Sequence, residues 1–279
     1  MMGEVLFIVW RESVEALLIV GILYAWLRNH PEAAAGKRYL WGGVGVGVLA
    51  ACGLGGAILG FAEFFEGEQQ DYFQLGMMSI AAALIVQMVF WMRKHGRTLK
   101  RDLESGMADN ARAANWWGML ALVALAIARE GSETVIFLWG LGSAQQGAQI
   151  LPFALSALVG FVLALGTFWL LQLGGKLFSW RAFFRFSELM LLLLAGALLV
   201  GSVERMISFG WLPPLVDPVW NSSWLLDDGG PVGGLIAALT GYRARPALTM
   251  VLALASYWVV VQWTLNRLQQ RAMGKPVTA

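Results

Sequence analysis

Long apolar stretches broken by short polar ones run the length of the chain. Seven of them, at 5–27, 39–62, 73–92, 116–139, 150–172, 184–207 and 247–266, reach the ~20 residues that a helix needs to cross a bilayer. The pattern predicts an all-α polytopic membrane protein, a single transmembrane domain over 1–279 with seven spans. The glycine run Gly42-Gly43-Val44-Gly45-Val46-Gly47 falls inside the second stretch, where it fits a helix packed closely on a neighbour. The first stretch lacks a basic leading region and is interrupted by Arg11, Glu12 and Glu15, so it reads as a retained helix rather than a signal peptide. Residues 208–246 contain no spanning run. Pro213-Pro214, Asp227-Asp228 and Gly229-Gly230 mark irregular structure there, with a short interfacial helix expected near 232–242.

Composition agrees with that pattern. Hydrophobic residues make up 58% of the chain and charged residues 14%, against about 45–50% and about 25% in soluble domains. A net charge of +2 is too small to hold nucleic acid by bulk electrostatics. The lone Cys52 excludes an intramolecular disulfide, a cysteine-cluster zinc site and CxxC redox chemistry. His30 and His95 lie in charged loops, so buried metal chemistry must rest on oxygen ligands or methionine.

Charge also sets orientation. Basic residues gather after the first, third and fifth spans and in the C-terminal tail; the group after the third is Arg93, Lys94, Arg97, Lys100, Arg101 and Arg112, and Lys176 and Lys275 belong to the later ones. The positive-inside rule then places the N-terminus outside and the C-terminus in the cytoplasm. The outer segment 63–71 carries Glu63, Glu66, Glu68 and Asp71 with no base, which reads either as a solvated connector or as a cation-collecting mouth.

The charges inside the spans are the informative ones. Span one holds Arg11-Glu12-Ser13-Val14-Glu15 and span four Arg129-Glu130-Gly131-Ser132-Glu133, the same R-E-x-x-E pattern 118 residues apart. Each ionisable group at a helix centre costs ~2.5–3.5 kcal/mol, so such groups persist where they satisfy one another, line water or bind something. Glutamates three apart share a helix face, and each arginine lies one turn before the second glutamate. At 1.5 Å per residue, Glu12 and Glu15 lie roughly 10 and 15 Å below the outer end of their span, and Glu130 and Glu133 roughly 13 and 9 Å below theirs. Spans one to three (about 5–92) thus match four to six (about 116–207) as an inverted repeat, with the helix near 247–266 additional. Transporters of this build place substrate at the repeat interface. Four carboxylates and two arginines suit a hard, highly charged cation; the alternative is a pair of buried Arg–Glu bridges holding helices together.

Other charged positions have local readings. Glu188 is expected either to pair with Arg185 or to serve as an exit-side ligand, and Glu204-Arg205 to form an interfacial pair. Met77, Met78, Met88 and Met92 suggest either a soft-metal path or ordinary packing.

The two motifs, with Met88-Val89-Phe90-Trp91-Met92-Arg93-Lys94 ending the third span and Gly241-Tyr242-Arg243-Ala244-Arg245-Pro246 before the last, resemble the oxidase-dependent iron permease family, which has bacterial EfeU- and FtrC-type and fungal high-affinity branches. The resemblance implies that iron is a transported substrate, with no organic cofactor. It implies Glu12, Glu15, Glu130 and Glu133 as iron ligands and Arg11 and Arg129 as their supports. It further implies the cell inner membrane as location, ferric iron as the form carried, and an outer-face periplasmic protein that oxidises or delivers it. The chain departs from the family at Phe73-Gln74-Leu75-Gly76, where an acid is common; Glu63, Glu66 and Glu68 stand slightly earlier. Lacking a Walker motif, the chain reads as a secondary permease and not an enzyme, driven by about 2.3 kcal/mol per elementary charge per 100 mV. A manganese or magnesium transporter and a membrane anchor for an oxidoreductase are the rival readings.

Overall fold

A computed structural model describes residues 2–95, 98–142, 150–172 and 180–273. Nine α-helices are found there: α1 (Met2–Asn29), α2 (Gly36–Ala62), α3 (Glu68–His95), α4 (Leu99–Arg112), α5 (Trp116–Gly142), α6 (Ile150–Gln172), α7 (Trp180–Ser208), α8 (Pro231–Thr240) and α9 (Leu248–Met273). A single 3-10 turn, Pro31–Ala33, joins α1 to α2, and no strand occurs among the described residues. Each predicted apolar stretch forms a helix, and α8 lies where the short helix was expected. Arg97, Lys176 and Lys275 lie outside the described residues.

Five helices are long and apolar enough to cross a membrane, within 36–62, 68–94, 151–170, 184–208 and 248–268, making this a multi-pass integral membrane protein. The other two long helices, α1 with 28 residues and α5 with 27, match them in length but carry the charged motifs. The helix α4 was not anticipated. It is shorter than a span and its charges obscure Leu103, Met107 and Ala111, which recur every four residues and form its packed face.

The chain forms two compact units, Met1–Gln74 with Arg97–Arg185 and Leu75–Gly96 with Phe186–Ala279. In the first, α2 lies along α5 and α1 along α6, and α1 also packs on α5. The glycine run explains the first pairing. A Cβ on Gly43 would meet the Leu120 carbonyl oxygen and Val123 Cβ, both at 2.7 Å; one on Gly47 would meet Ile127 Cβ at 2.7 Å, the Ala124 carbonyl oxygen at 2.9 Å and the Ala128 nitrogen at 3.0 Å. Small residues therefore let two backbones touch, as membrane helices often do. On α6, Gly160 performs the same task against α1, where a Cβ would meet the Leu6 carbonyl oxygen at 2.6 Å and both Trp10 N and Val9 Cβ at 3.2 Å. Gly45 has nothing nearby. Gly47→Leu is thus expected to lower stability in detergent by at least the ~1–3 kcal/mol of core overpacking, while Gly45→Ala leaves it unchanged. Thermal unfolding of the two purified variants checks this.

The ends of α1 and α5 meet in a dry cluster. Ile19, Leu23 and Leu27 of α1 pack with Met119, Val123 and Ile127 of α5, Leu40 of α2, Ala33 and Met107 of α4. Met107 is wholly buried, while Arg101, Ser105 and Asp109 on the far side of α4 are exposed. Three residues, Ala113 to Asn115, separate α4 from α5, and Asn115 caps α5 by accepting the Gly118 N–H at 2.9 Å.

In the second unit α3 and α7 run antiparallel, bridged by Ser79–Ser202 at 3.4 Å and by an Arg93–Glu188 ion pair. Glu188 therefore pairs with Arg93 and not with Arg185 of its own helix. The Glu204–Arg205 expectation also gives way. Glu204 accepts two hydrogen bonds from Arg243 at 2.8 and 3.1 Å, because adjacent residues on a helix point away from one another. The loop before α9 is further fixed by the Tyr242 hydroxyl, which donates to the Leu226 carbonyl at 3.0 Å and lies 2.6 Å from the Ser222 hydroxyl. Val200 and Val203 of α7 pack with Ala247 and Met250 beside and within α9. Met77, Met78 and Met88 are buried and Met92 is half-buried.

Candidate metal centre

Helices α1 and α5 meet across their charged motifs. One carboxylate oxygen from each of Glu12, Glu130 and Glu133 lies within 4.8 Å of the other two, a spacing that can hold a metal ion. Glu12 and Glu130 are buried, and Glu133 nearly so. Each of the three keeps a buried oxygen, Oε2, that accepts no hydrogen bond. Such oxygens are costly in an apolar surround without a cation.

The two arginines work differently. Arg11 is 2% exposed; its Nη1 donates to Glu12 Oε1 at 2.6 Å and its Nη2 pairs with Glu15 Oε1. Arg129 is 36% exposed and donates from Nε to Glu133 Oε1 at 3.0 Å. Glu130 has no ion-pair partner among the described residues. The identical motifs thus give unequal shells: one glutamate beside a doubly engaged arginine from α1, and two from α5 of which one is braced.

Of the four glutamates expected as ligands, three converge. Glu15 is buried one turn further along α1, pairs with Arg11 and lies within electrostatic reach of Glu130 and Glu133. Glu63, Glu66 and Glu68 are exposed and Asp71 half-buried at the α2–α3 turn, outside the cluster. Glu188 is engaged in the other unit. Sequence reasoning passed over Glu4, which is buried on α1; it stands eight residues before Glu12, so the two share a helix face.

The electrostatics favour a bound cation. Two unit charges at 4 Å interact by about 4 kcal/mol at an effective dielectric near 20; Arg11 and Arg129 offset the repulsion at Glu12 and Glu133, and a cation among the three would add an attraction that Glu130 does not get from an ion pair among the described residues. All donors are hard oxygens, as iron, manganese, magnesium or calcium would accept.

The model for the iron permease FTR1 family matches residues 2–271 of the chain. Curated relatives include the ferrous iron permease EfeU of Escherichia coli O6:K15:H31 strain 536, 30% identical over 246 residues and 88% of each chain. The ferrous iron permease EfeU of Yersinia pestis is 30% identical over 251 residues, covering 88% of this chain and 86% of that one. No solved structure matches.

Proposed function

The chain belongs to the iron permease FTR1 family, and from that premise we propose that it carries iron through the carboxylates of α1 and α5 across the inner membrane of the cell. The observation that supports this reading is the buried trio Glu12, Glu130 and Glu133, each with an oxygen that lacks a hydrogen bond. Iron is the substrate; Arg11 and Arg129 position two of its ligands.

All seven long helices span the bilayer in this reading, N-terminus outside. The burden of charge in α1 and α5 is offset by the arginines and by the ion. The inverted repeat has support beyond the motifs. Gly160 meets Leu6, Val9 and Trp10, and Gly47 meets Ala124, Ile127 and Ala128; each of the second set lies 118 residues after its counterpart, the spacing between the motifs. The same three atoms are touched in both places: a carbonyl oxygen, a Cβ and a backbone nitrogen.

Transport then requires the halves to rearrange around the site. On one side, fully buried Ile8 and Phe137 lie one turn from Glu12 and Glu133. On the other, the dry cluster from Ile19 to Leu27 and from Ile127 to Met119 closes the way, stapled by Met107 of α4. A charged ion does not cross so apolar a barrier, so release to the cytoplasm needs this cluster to part. At the outer face a partner oxidase takes one electron from ferrous iron, and the ferric ion enters the hard oxygen cage. That scheme joins the relatives' printed substrate to the cage's donors.

Uptake of radioactive iron into proteoliposomes carrying the full chain tests the function. Iron should accumulate down an inside-negative potential, and excess manganese or magnesium should compete poorly. Strong manganese competition with no iron accumulation would replace iron by another hard cation. Adding an external ferroxidase should stimulate uptake from ferrous iron; unchanged or reduced uptake would remove the oxidation step.

A further inference from the structure

At the start of α2, the far end of that helix from the acidic α2–α3 turn, a cavity of about 700 Å³ opens between α2 and α5. Its wall is formed by Ala34, Ala35, Arg38 and Tyr39 before and on α2, and by Trp116 and Leu120 on α5. From this lining we propose a binding site for the phosphate of an anionic phospholipid headgroup. The polar side chains of the wall are a guanidinium, a phenol and an indole, each able to donate a hydrogen bond, and no carboxylate lines it. None of the three makes a side-chain hydrogen bond or ion pair among the described residues, so their donors are open to a ligand. Tyr39 is held in place by its rings' neighbours, stacked on Trp116 at 6.2 Å and edge-on to Trp117 at 5.9 Å. An arginine fork engages two phosphate oxygens at once, and a neighbouring hydroxyl can take a third.

Depth selects a lipid over a soluble phosphate. On the reading above that α2 and α5 span the bilayer with the N-terminus outside, this end lies at the cytoplasmic boundary, where anionic headgroups gather and basic pockets between spans bind them. Ala34, Ala35 and Leu120 offer apolar contact to the glycerol and upper acyl chain, and Trp117, 72% exposed, sits at the same helix end, as interfacial tryptophans do. A zwitterionic lipid brings its own ammonium towards Arg38 and gains less. Leu40 and Met119, the chain neighbours of Tyr39 and Leu120, belong to the dry cluster, so a headgroup held here bears on the closed end of the path.

Native mass spectrometry of the purified full chain, titrated with phosphatidylglycerol and with phosphatidylcholine as reference, tests the site. Arg38→Gln should weaken phosphatidylglycerol binding about five-fold, the worth of one basic residue at an anionic surface, and leave phosphatidylcholine binding unchanged. Tyr39→Phe should lose about 2–10-fold, the worth of a hydrogen bond. Ala35→Trp, which fills the cavity and keeps the charge, should lose the lipid as well. Arg101→Gln, which removes an exposed charge of α4 outside the cavity, should bind as the wild type does. Equal losses from Arg38→Gln and Arg101→Gln would mark a diffuse basic surface and overturn the site. Inorganic phosphate in large excess should leave the lipid bound; displacement would assign the cavity to soluble phosphates and overturn the lipid. No iron enters these measurements, so their failure leaves the permease reading standing, and failed iron uptake leaves the lipid site standing.

Discussion

Glu130→Gln is expected to abolish iron uptake while making the folded protein more stable. Glu130 is the one carboxylate of the trio without an ion-pair partner among the described residues, so in the proposed role its charge serves the ion. A charge about 4 Å from a cation contributes about 4 kcal/mol per unit of cation charge at an effective dielectric near 20. Losing it costs on the order of a thousandfold in ion affinity for each of those units. Without iron the sign reverses, since the same substitution removes repulsion from two crowded neighbours. The unfolding temperature of the iron-free variant should therefore rise, the usual opposition between a strained site and stability. Radioactive iron uptake, normalised to protein in the membrane, and thermal unfolding in detergent give the two readings. Wild-type uptake by the variant would remove Glu130 from the path; loss of uptake with loss of fold would make its role structural.

Locking α4 to α5 should stop transport without stopping binding. A Cβ on Gly106 would meet Leu122 Cδ1 at 2.6 Å, so a Gly106→Cys, Leu122→Cys pair in a Cys52→Ser background puts two cysteines at facing positions of α4 and α5, and a bifunctional thiol cross-linker or a disulfide can join them. Cys52 is exposed on α2 and its replacement disturbs no packing. With the bond formed, Met107 stays in the dry cluster and the way out between α1 and α5 stays shut. Uptake should fall to background under oxidation and return on reduction, while iron binding in detergent is kept. Transport at the wild-type rate by the oxidised protein would show that α4 need not move. A loss that reduction fails to reverse would point to damage at Gly106 itself, and the Gly106→Cys single variant reports that directly.

Much of the fold was legible because lipid imposes a simple demand: a spanning helix must be long and apolar, and all seven predicted stretches form helices, five of them long and apolar enough to cross a membrane. The motifs were legible for the complementary reason, since charge in such a stretch is expensive and stands out. What escaped was governed by partners distant along the chain. Glu188 and Glu204 each had a basic residue close by in the sequence, yet Arg93 and Arg243 claimed them through helix packing and loop closure. The helix α4 escaped because an amphipathic fourteen-residue segment carries no spanning signal, and its role depends on the cluster it completes.

The order of residues by itself determined the helices, the family and the two charged motifs, because helical period and the cost of burying charge act locally. It could not show how the two arginines engage their glutamates, since the two motifs are the same in sequence. Only the tertiary structure decided that, through burial: Arg11, buried on α1, pairs with Glu12 and Glu15, whereas the more exposed Arg129 pairs with Glu133, and Glu130 has no ion pair among the described residues.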